Sequence, residues 1–392
     1  MTPSARVQAG IDILDQVVTS SRDDGPPADA IVAAYFKTRR YAGSKDRRAV
    51  RELVFRAIRR SAEIPENGRT AMLGLSADDR EILDSFAGPP HGPDPVVKGE
   101  KRTRPSIVPQ WIERELSPLV ARDEWPALVE RAPLDVRINA ARTSIAAMIE
   151  AFDGAEATPH SPWGLRLPAD SRADQYPAFA QGLVEIQDEG SQLIALACAA
   201  KPGMRIIDLC AGAGGKALAL ASATGNGAEI IACDTNRQRL SKLAPRADRA
   251  GASITTQLLN PPHEAIELAH LAATADIVLV DAPCSGSGTW RRSPEGRWRL
   301  TAHRLDRVIA LQARVLDLAA PLVKPGGALV YAVCSLLTRE GMGQVATFLG
   351  RHSGWTLQDP FESIGRQDGA GRLLTPGHDH TDGFFVARLI RS

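Results

Sequence analysis

From Gln187 onward the chain alternates short apolar runs with helical segments, and this alternation limits the fold more than any other feature of the sequence. The runs are MRIIDLC, AEIIACD, SITTQLL, ADIVLVD, GALVYAV and FFVARLI. Helices are expected between them, from Lys216, from Asn236, through Leu305 to Leu322, and from Thr338. Short runs apolar on both faces, separated by helices, predict an α/β fold in which a mostly parallel sheet is doubly wound by helices. Ligands of such sheets gather at the carboxyl ends of the strands, so those ends are read as a group.

The first run leads into Asp208-Leu209-Cys210-Ala211-Gly212-Ala213-Gly214-Gly215-Lys216. Glycines there let the backbone pass close to a ligand and turn into a helix, and Asp234, closing the second run, suits a pair of ribose hydroxyls. This is a nucleotide-type pocket that a nicotinamide enzyme would share. The fourth and fifth runs break the tie, because they end in Asp281-Ala282-Pro283-Cys284 and Tyr331-Ala332-Val333-Cys334-Ser335. Adjacent strand ends would bring the two cysteines over one cleft, and a hydride transfer needs neither. Attack of a thiolate on carbon 6 of a pyrimidine turns carbon 5 into a nucleophile able to accept a methyl group from a sulfonium. The pattern implies methyl transfer to cytosine or uracil. Cys198, Cys210 and Cys233 read as small buried hydrophobes.

Length and composition place the chain among globular proteins of two or three domains, with 392 residues, 44% hydrophobic and 24% charged. No apolar stretch reaches the roughly 20 residues of a membrane span, and MTPSARVQAGIDILDQ lacks the apolar centre of a signal peptide, so the cytoplasm is the expected compartment. Five cysteines without a Cys-x-x-Cys pair or a histidine cluster argue against disulfides and structural zinc, and no metal is expected. A net charge of +1 gives no overall case for nucleic acid. Local patches give one. Between Lys37 and Arg60 ten basic residues face only Asp46 and Glu52, while Val50, Leu53, Val54, Ala57 and Ile58 recur at helical spacing. A solvated helix face is the alternative reading of such a run.

Residues 1–85 are expected to be helical, 86–105 a Pro- and Gly-rich linker, 106–188 a small α+β module, and 189–392 the catalytic domain. Within the module, helical signals run from Trp111 to Leu128 and Leu134-Asp135-Val136-Arg137-Ile138 reads as a strand.

These residues resemble the bacterial Sun-type RNA (cytosine-5) methyltransferases. The likeness runs from Ser106-Ile107-Val108-Pro109-Gln110-Trp111 and Arg137-Ile138-Asn139 through Gln187-Asp188-Glu189-Gly190-Ser191-Gln192 and the glycine loop. It continues through Asp281 to Gly288, Arg291-Arg292 and Cys334-Ser335 to Asp382-Gly383-Phe384-Phe385. The resemblance implies a Rossmann-like S-adenosylmethionine methyltransferase domain, S-adenosylmethionine as cofactor and RNA as partner, ribosomal before transfer RNA. It implies Cys334 as nucleophile, Cys284 as the group that assists release, and Asp281 on the cytosine edge. Asp234 would hold the ribose, Lys216 the carboxylate end of the cofactor, and the loop from Asp208 and Cys210 through Ala211, Gly212, Ala213, Gly214 and Gly215 would run along it.

Two departures stand out. The family's usual Ala-Pro-Gly-Gly-Lys is replaced by Gly212-Ala213-Gly214-Gly215-Lys216, which is expected to loosen the loop. Asn260 stands where an aspartate usually lies near the adenine, and its side-chain carbonyl is expected to accept from the adenine amine. The N-terminal helices look similar to a NusB-like RNA-binding domain, which implies phosphate contacts at Arg39, Arg40, Arg47 and Arg48. Arg291 and Arg292, with Arg297, Arg299, Arg304 and Arg307, would form a rim behind Cys284 gripping the backbone of a flipped-out target. A monomer is expected. An RNA-binding assembly factor with a vestigial centre is the alternative from another class, against which both cysteines and Asp234 and Asp281 speak.

Overall fold

The computed structural model describes residues 1–392 apart from 24, 89, 169 and 170, of which 89 belongs to the expected linker. By its internal contacts the chain forms two compact units, whose limits differ from the division read in the sequence. The first comprises Met1–Glu115, Ala121–Arg131 and Thr289–Ala302; the second comprises Leu116–Val120, Ala132–Gly288 and His303–Ser392. Among the described residues, no helix is long and apolar enough to cross a membrane.

The first unit is helical: α1 (Pro3–Arg22), α2 (Ala28–Lys37), α3 (Ser44–Arg60), α4 (Gly68–Leu75) and α5 (Arg80–Asp84). Polar side chains fix the starts of three of these. Thr2, Asn67 and Asp79 accept from the first free backbone N–H groups of α1, α4 and α5. Helix α3 buries Val50, Val54, Ala57 and Ile58 along one stripe and keeps its arginines on the other side. The helix expected over Trp111 to Leu128 is replaced by turns and a short 3-10 helix, Arg122–Leu128. Pro118 and Pro126 lack the N–H groups an α-helix would need there.

Residues 289–302 complete this unit. Trp298 joins the core formed by Ile13, Leu14, Val54 and Ile58, and its indole N–H donates to the Ser61 carbonyl at 2.9 Å. Arg297 is 2% exposed and donates to the carbonyls of Ile58, Ile107 and Pro294 at 2.6, 2.8 and 3.0 Å. Burial, then repulsion by Arg59, lowers its pKa to about 9.

The second unit holds two sheets. The smaller is antiparallel, in the order β2 (Glu156–Ala157), β3 (Gly164–Leu167), β1 (Leu134–Ile138), β4 (Val184–Ile186), around Val136, Ile138, Phe152, Leu165 and Val184. The larger contains β5 (Arg205–Asp208), β6 (Glu229–Asp234), β7 (Thr255–Leu258), β8 (Ala275–Asp281), β9 (Val323–Val333), β10 (Trp355–Gln358), β11 (Arg366–Asp368), β12 (Gly371–Leu374) and β13 (Phe384–Arg391). Its order is β11-β12-β13-β9-β8-β5-β6-β7, with β10 also on β13. From β9 to β7 every pairing is parallel, whereas β13 runs antiparallel to β9. Ile206, Ile207, Ile230, Ile277 to Val280 and Leu329 to Val333 are all buried, as strands covered on both faces require. The order places β8 beside β9, with Asp281 opposite Ala332, so both cysteine-bearing ends leave the sheet at one level.

Candidate active site

The carboxyl ends of β5, β6, β8 and β9 surround a cleft of about 520 Å³. Cys210, Asp234, Asp281, Cys284 and Cys334 line it, with Leu209, Leu259, Pro261, Leu311, Val315 and Leu318 as apolar wall. Its Cys284 and Cys334 sulfurs lie 3.3 Å apart. The Cys284 thiol is pushed well above the ordinary cysteine value, first by its hydrogen bond to Cys334, then by burial, then by the charges of Cys334 and Glu340. Burial likewise raises Cys210 well above that value. Cys198 and Cys233, fully buried, are raised to about 12.

Asp234, at the end of β6, accepts from Gly212 N at 2.7 Å and Asn236 N at 2.6 Å. Lys216 Nζ meets Asp281 Oδ2 at 2.6 Å. Burial alone would lower the Lys216 ammonium, but the charge and hydrogen bond of Asp281, then the nearby Cys334 and Asp208, raise it overall.

The glycine loop is not loose. Gly212 (φ +56°) and Gly214 (φ +82°) occupy the left-handed region. A Cβ would meet Arg239 Nη2 at 2.4 Å in the first case and Leu243 Cδ1 at 1.8 Å in the second. Besides Asp234, Ala211 N donates to Cys233 O at 2.9 Å, and Arg246 Nη1 donates to Ala213 O at 2.6 Å while its Nη2 bonds Glu185 at 2.9 Å. Glu185 lies on β4, so the small sheet helps hold the loop. Gly212-Ala213 is thus held by bonds to Asp234 and Arg246, against the looser turn expected from the sequence. Gly215 begins the helix Gly215–Ala223 just beyond it.

Of the expected cofactor residues Cys210, Asp234 and Asp281 line the cleft, whereas Asp208, residues 211–216 and Asn260 do not. Asp208 is 1% exposed, beneath the cleft, and burial raises its carboxyl to about 7. Asn260 is exposed and bonds Glu267 through both its backbone N–H and its side-chain amide, at 2.8 Å each, while Leu259 and Pro261 beside it line the wall. A short polar residue before two prolines turns outward with the loop.

The expected arginine rim is also divided. Arg291 and Arg297 are buried in the first unit, so neither forms a solvent-facing rim there, and Arg292 is half-buried. Arg304 and Arg307 belong to the helix Ala302–Ala319. On the helical unit, Arg39 stacks on Tyr35 at 3.6 Å and Arg47 donates to Ala42 O at 2.8 Å. Arg51, Arg56 and Arg60 pair with Asp29, Asp79 and Asp78, whereas Lys37, Arg40, Lys45, Arg47 and Arg48 are exposed.

Arg239, Glu264 and Arg314, which line the cleft, and Glu340, behind the two cysteine loops, have no counterpart in the sequence reading. Glu340 is fully buried and bonds the residue after each cysteine, Ser285 and Ser335. The helix expected from Thr338 begins only at Met342, after the turn that carries Glu340.

A parallel sheet with a glycine loop after one strand, a carboxylate closing the next and this cleft at the strand ends defines a Rossmann-like fold with a pocket of the nucleotide type. Residues 195–390 match the family model described as 16S rRNA methyltransferase RsmB/F, and the chain belongs to that family. It is 34% identical over 298 residues to the ribosomal RNA small subunit methyltransferase B of Xanthomonas campestris pv. campestris, covering 72% of this chain and 66% of that protein. The chain spans about six-tenths of the length of such curated relatives, 59% and 66% for two of them. The crystal structure of PH0851 shares the fold over 99% of both chains, with a TM-score of 0.75 at 21% identity. That of NSun6 from Pyrococcus horikoshii with SFG shares it over 73% of this chain and 98% of its own, with a TM-score of 0.63 at 20% identity.

Proposed function

We propose that the protein transfers a methyl group from S-adenosylmethionine to carbon 5 of a cytosine in RNA, and that the RNA is ribosomal. The observation that carries this reading is the pair of sulfurs 3.3 Å apart on neighbouring strand ends, opening on a cleft that Asp234 and Asp281 also line. The choice of RNA follows the names of the relatives.

In this reading the Asp234 carboxylate would hold the ribose hydroxyls of the cofactor, and the apolar Leu259 and Pro261, which line the same cleft, would flank its base. The bound cofactor supplies an electrophilic methyl group. Asp281 accepts from the exocyclic amine of the cytosine. Cys334 adds to carbon 6 as a thiolate, and the electron pair of the 5,6 double bond moves to carbon 5, which takes the methyl group as the S–CH3 bond breaks and the sulfonium sulfur leaves as a neutral thioether. Cys284 keeps its proton while Cys334 lies beside it as a hydrogen-bond acceptor and a charge. Once Cys334 is bound as a thioether its two influences are gone while burial and the Glu340 charge remain, and in this reading Cys284 passes its proton to solvent before it acts as the base. Its thiolate then takes the proton from carbon 5, the double bond re-forms, and Cys334 leaves as a thiolate. The exposed Lys37, Arg40, Lys45, Arg47 and Arg48 contact RNA phosphates.

A denaturing gel with labelled ribosomal RNA tests the assignment. Cys334→Ala is expected to abolish both turnover and any protein–RNA adduct. Cys284→Ala is expected to methylate once and stall, leaving a denaturant-resistant band that depends on S-adenosylmethionine. A band from Cys334→Ala alone would reverse the two roles, and full activity in both variants would refute covalent catalysis.

A further inference from the structure

Cys284 and Cys334 sit on different loops, and their side chains meet only in the thiol contact of 3.3 Å. Each is followed by a serine, and both serines converge on one buried carboxylate. Glu340 Oε1 accepts from Ser285 N at 2.8 Å and from Gln312 Nε2 at 2.9 Å, while Oε2 accepts from the hydroxyls of Ser285 and Ser335. A carboxylate has about four such acceptor sites, so this one is filled entirely by the two loops and the helix Ala302–Ala319 behind them.

Ser287 extends the network: its hydroxyl, 3.0 Å from Ser335 Oγ, donates to it and accepts from Leu336 N at 2.9 Å. Gln312 also donates to Pro283 O at 2.9 Å, and Tyr331 OH holds the Glu340 carbonyl at 2.7 Å. Glu340 reaches neither sulfur by a hydrogen bond, although its charge is among the causes that keep Cys284 protonated.

We infer that Glu340 is a positioning residue that sets the spacing of the two cysteines, acting as a clamp between the loops that carry them. The inference rests on the cysteine pair acting as proposed above. Removing the clamp lets the loops separate, and a displacement of about 1 Å at reacting groups costs roughly a hundredfold in rate.

The test has two arms, both on the full chain. In the first, dibromobimane, which becomes fluorescent when its two bromomethyl groups have alkylated a pair of neighbouring thiols with loss of two bromide ions, reports the spacing without any RNA. The fluorescence per bimane bound, measured at completion, is expected to fall at least threefold in Glu340→Ala. It should stay near the wild-type level in Glu340→Gln, which keeps one acceptor oxygen and the shape. In the second arm, Glu340→Ala is expected to lower kcat for cytosine methylation by roughly a hundredfold, with KM for RNA and Kd for S-adenosylmethionine within about threefold of wild type. Glu340→Gln should recover at least a tenth of the wild-type kcat.

Unchanged bimane fluorescence in a folded Glu340→Ala overturns the clamp, whatever happens to methylation. If Glu340→Ala does not fold, the Ser285→Ala, Ser335→Ala double variant takes its place, and unchanged fluorescence there also overturns it. An inactive wild type with a normal bimane response would refute the methyltransferase reading and leave the bimane arm to decide the role of Glu340 alone.

Discussion

Replacing Asp208 by asparagine is expected to make the second unit more stable, and increasingly so as the pH rises. Asp208 is 1% exposed at the end of β5 and neither of its oxygens has a partner in hydrogen-bond geometry. Burial first, then the charges of Asp281 and Asp234, raise its carboxyl to about 7, against the opposing pull of Lys216 and the Ala217 N–H. In the unfolded chain an aspartate titrates near 3.9. A carboxyl raised on folding favours the folded state fully below the unfolded value, and that contribution is lost as the pH rises through the folded one. Over about three pH units, at 1.36 kcal/mol each, the loss comes to about 4 kcal/mol by pH 7 to 8. Other carboxylates titrate in both proteins and cancel in the difference. Urea unfolding would be followed at pH 5 and pH 8, taking the transition that shifts on adding S-adenosylmethionine. The stability gap between Asp208→Asn and wild type should widen by about 3 kcal/mol between these pH values. A gap constant to within about 0.5 kcal/mol would mean that Asp208 ionises as an ordinary carboxyl, and the reasoning from its burial would fail.

Asp234→Ala is expected to weaken S-adenosylmethionine binding about ten- to a hundredfold by calorimetry, because the carboxylate supplies charge-assisted bonds worth roughly 1.5 to 3 kcal/mol. An unchanged Kd in the folded variant would remove Asp234 from the site, and preferential binding of NAD would revive a dehydrogenase reading. Neutralising Arg40, Lys45 and Arg48 to glutamine should leave cofactor binding intact while reducing the slope of log affinity for RNA against log salt by roughly 0.7 to 0.9 per lost phosphate contact. An unchanged slope would make this charge run a solvated face.

The sheet and both thiols were legible because parallel strands buried on two faces leave unbroken apolar runs, and the residues at the carboxyl end of each run lie over the cleft. The short strands β2, β3, β10, β11 and β12 carry no such run and leave no comparable mark. Glu340 was hidden for a different reason. It lies in a stretch that looks like a helix start, and only the folded chain shows its side chain turned inward. Arg246 and Glu185 support the glycine loop from 61 residues apart, a separation that no local pattern encodes. The burial of Arg297 was not legible because it reaches backbone carbonyls, and carbonyls leave no mark in a sequence.

The placement of residues 289–302 bears on how the protein is made. Trp298 donates to a carbonyl 237 residues earlier in the chain. At a ribosome adding about 5 to 20 residues per second, roughly 10 to 50 s separate the synthesis of Ser61 from that of Trp298. Throughout that interval the nascent helical unit lacks an indole from its interior and Arg297 from the carbonyls of Ile58 and Ile107. The N-terminal helices therefore cannot complete their folding first, as a leading domain ordinarily does. Their final packing waits until β8 and the Cys284 loop have been translated, so the two units mature in overlapping rather than successive steps.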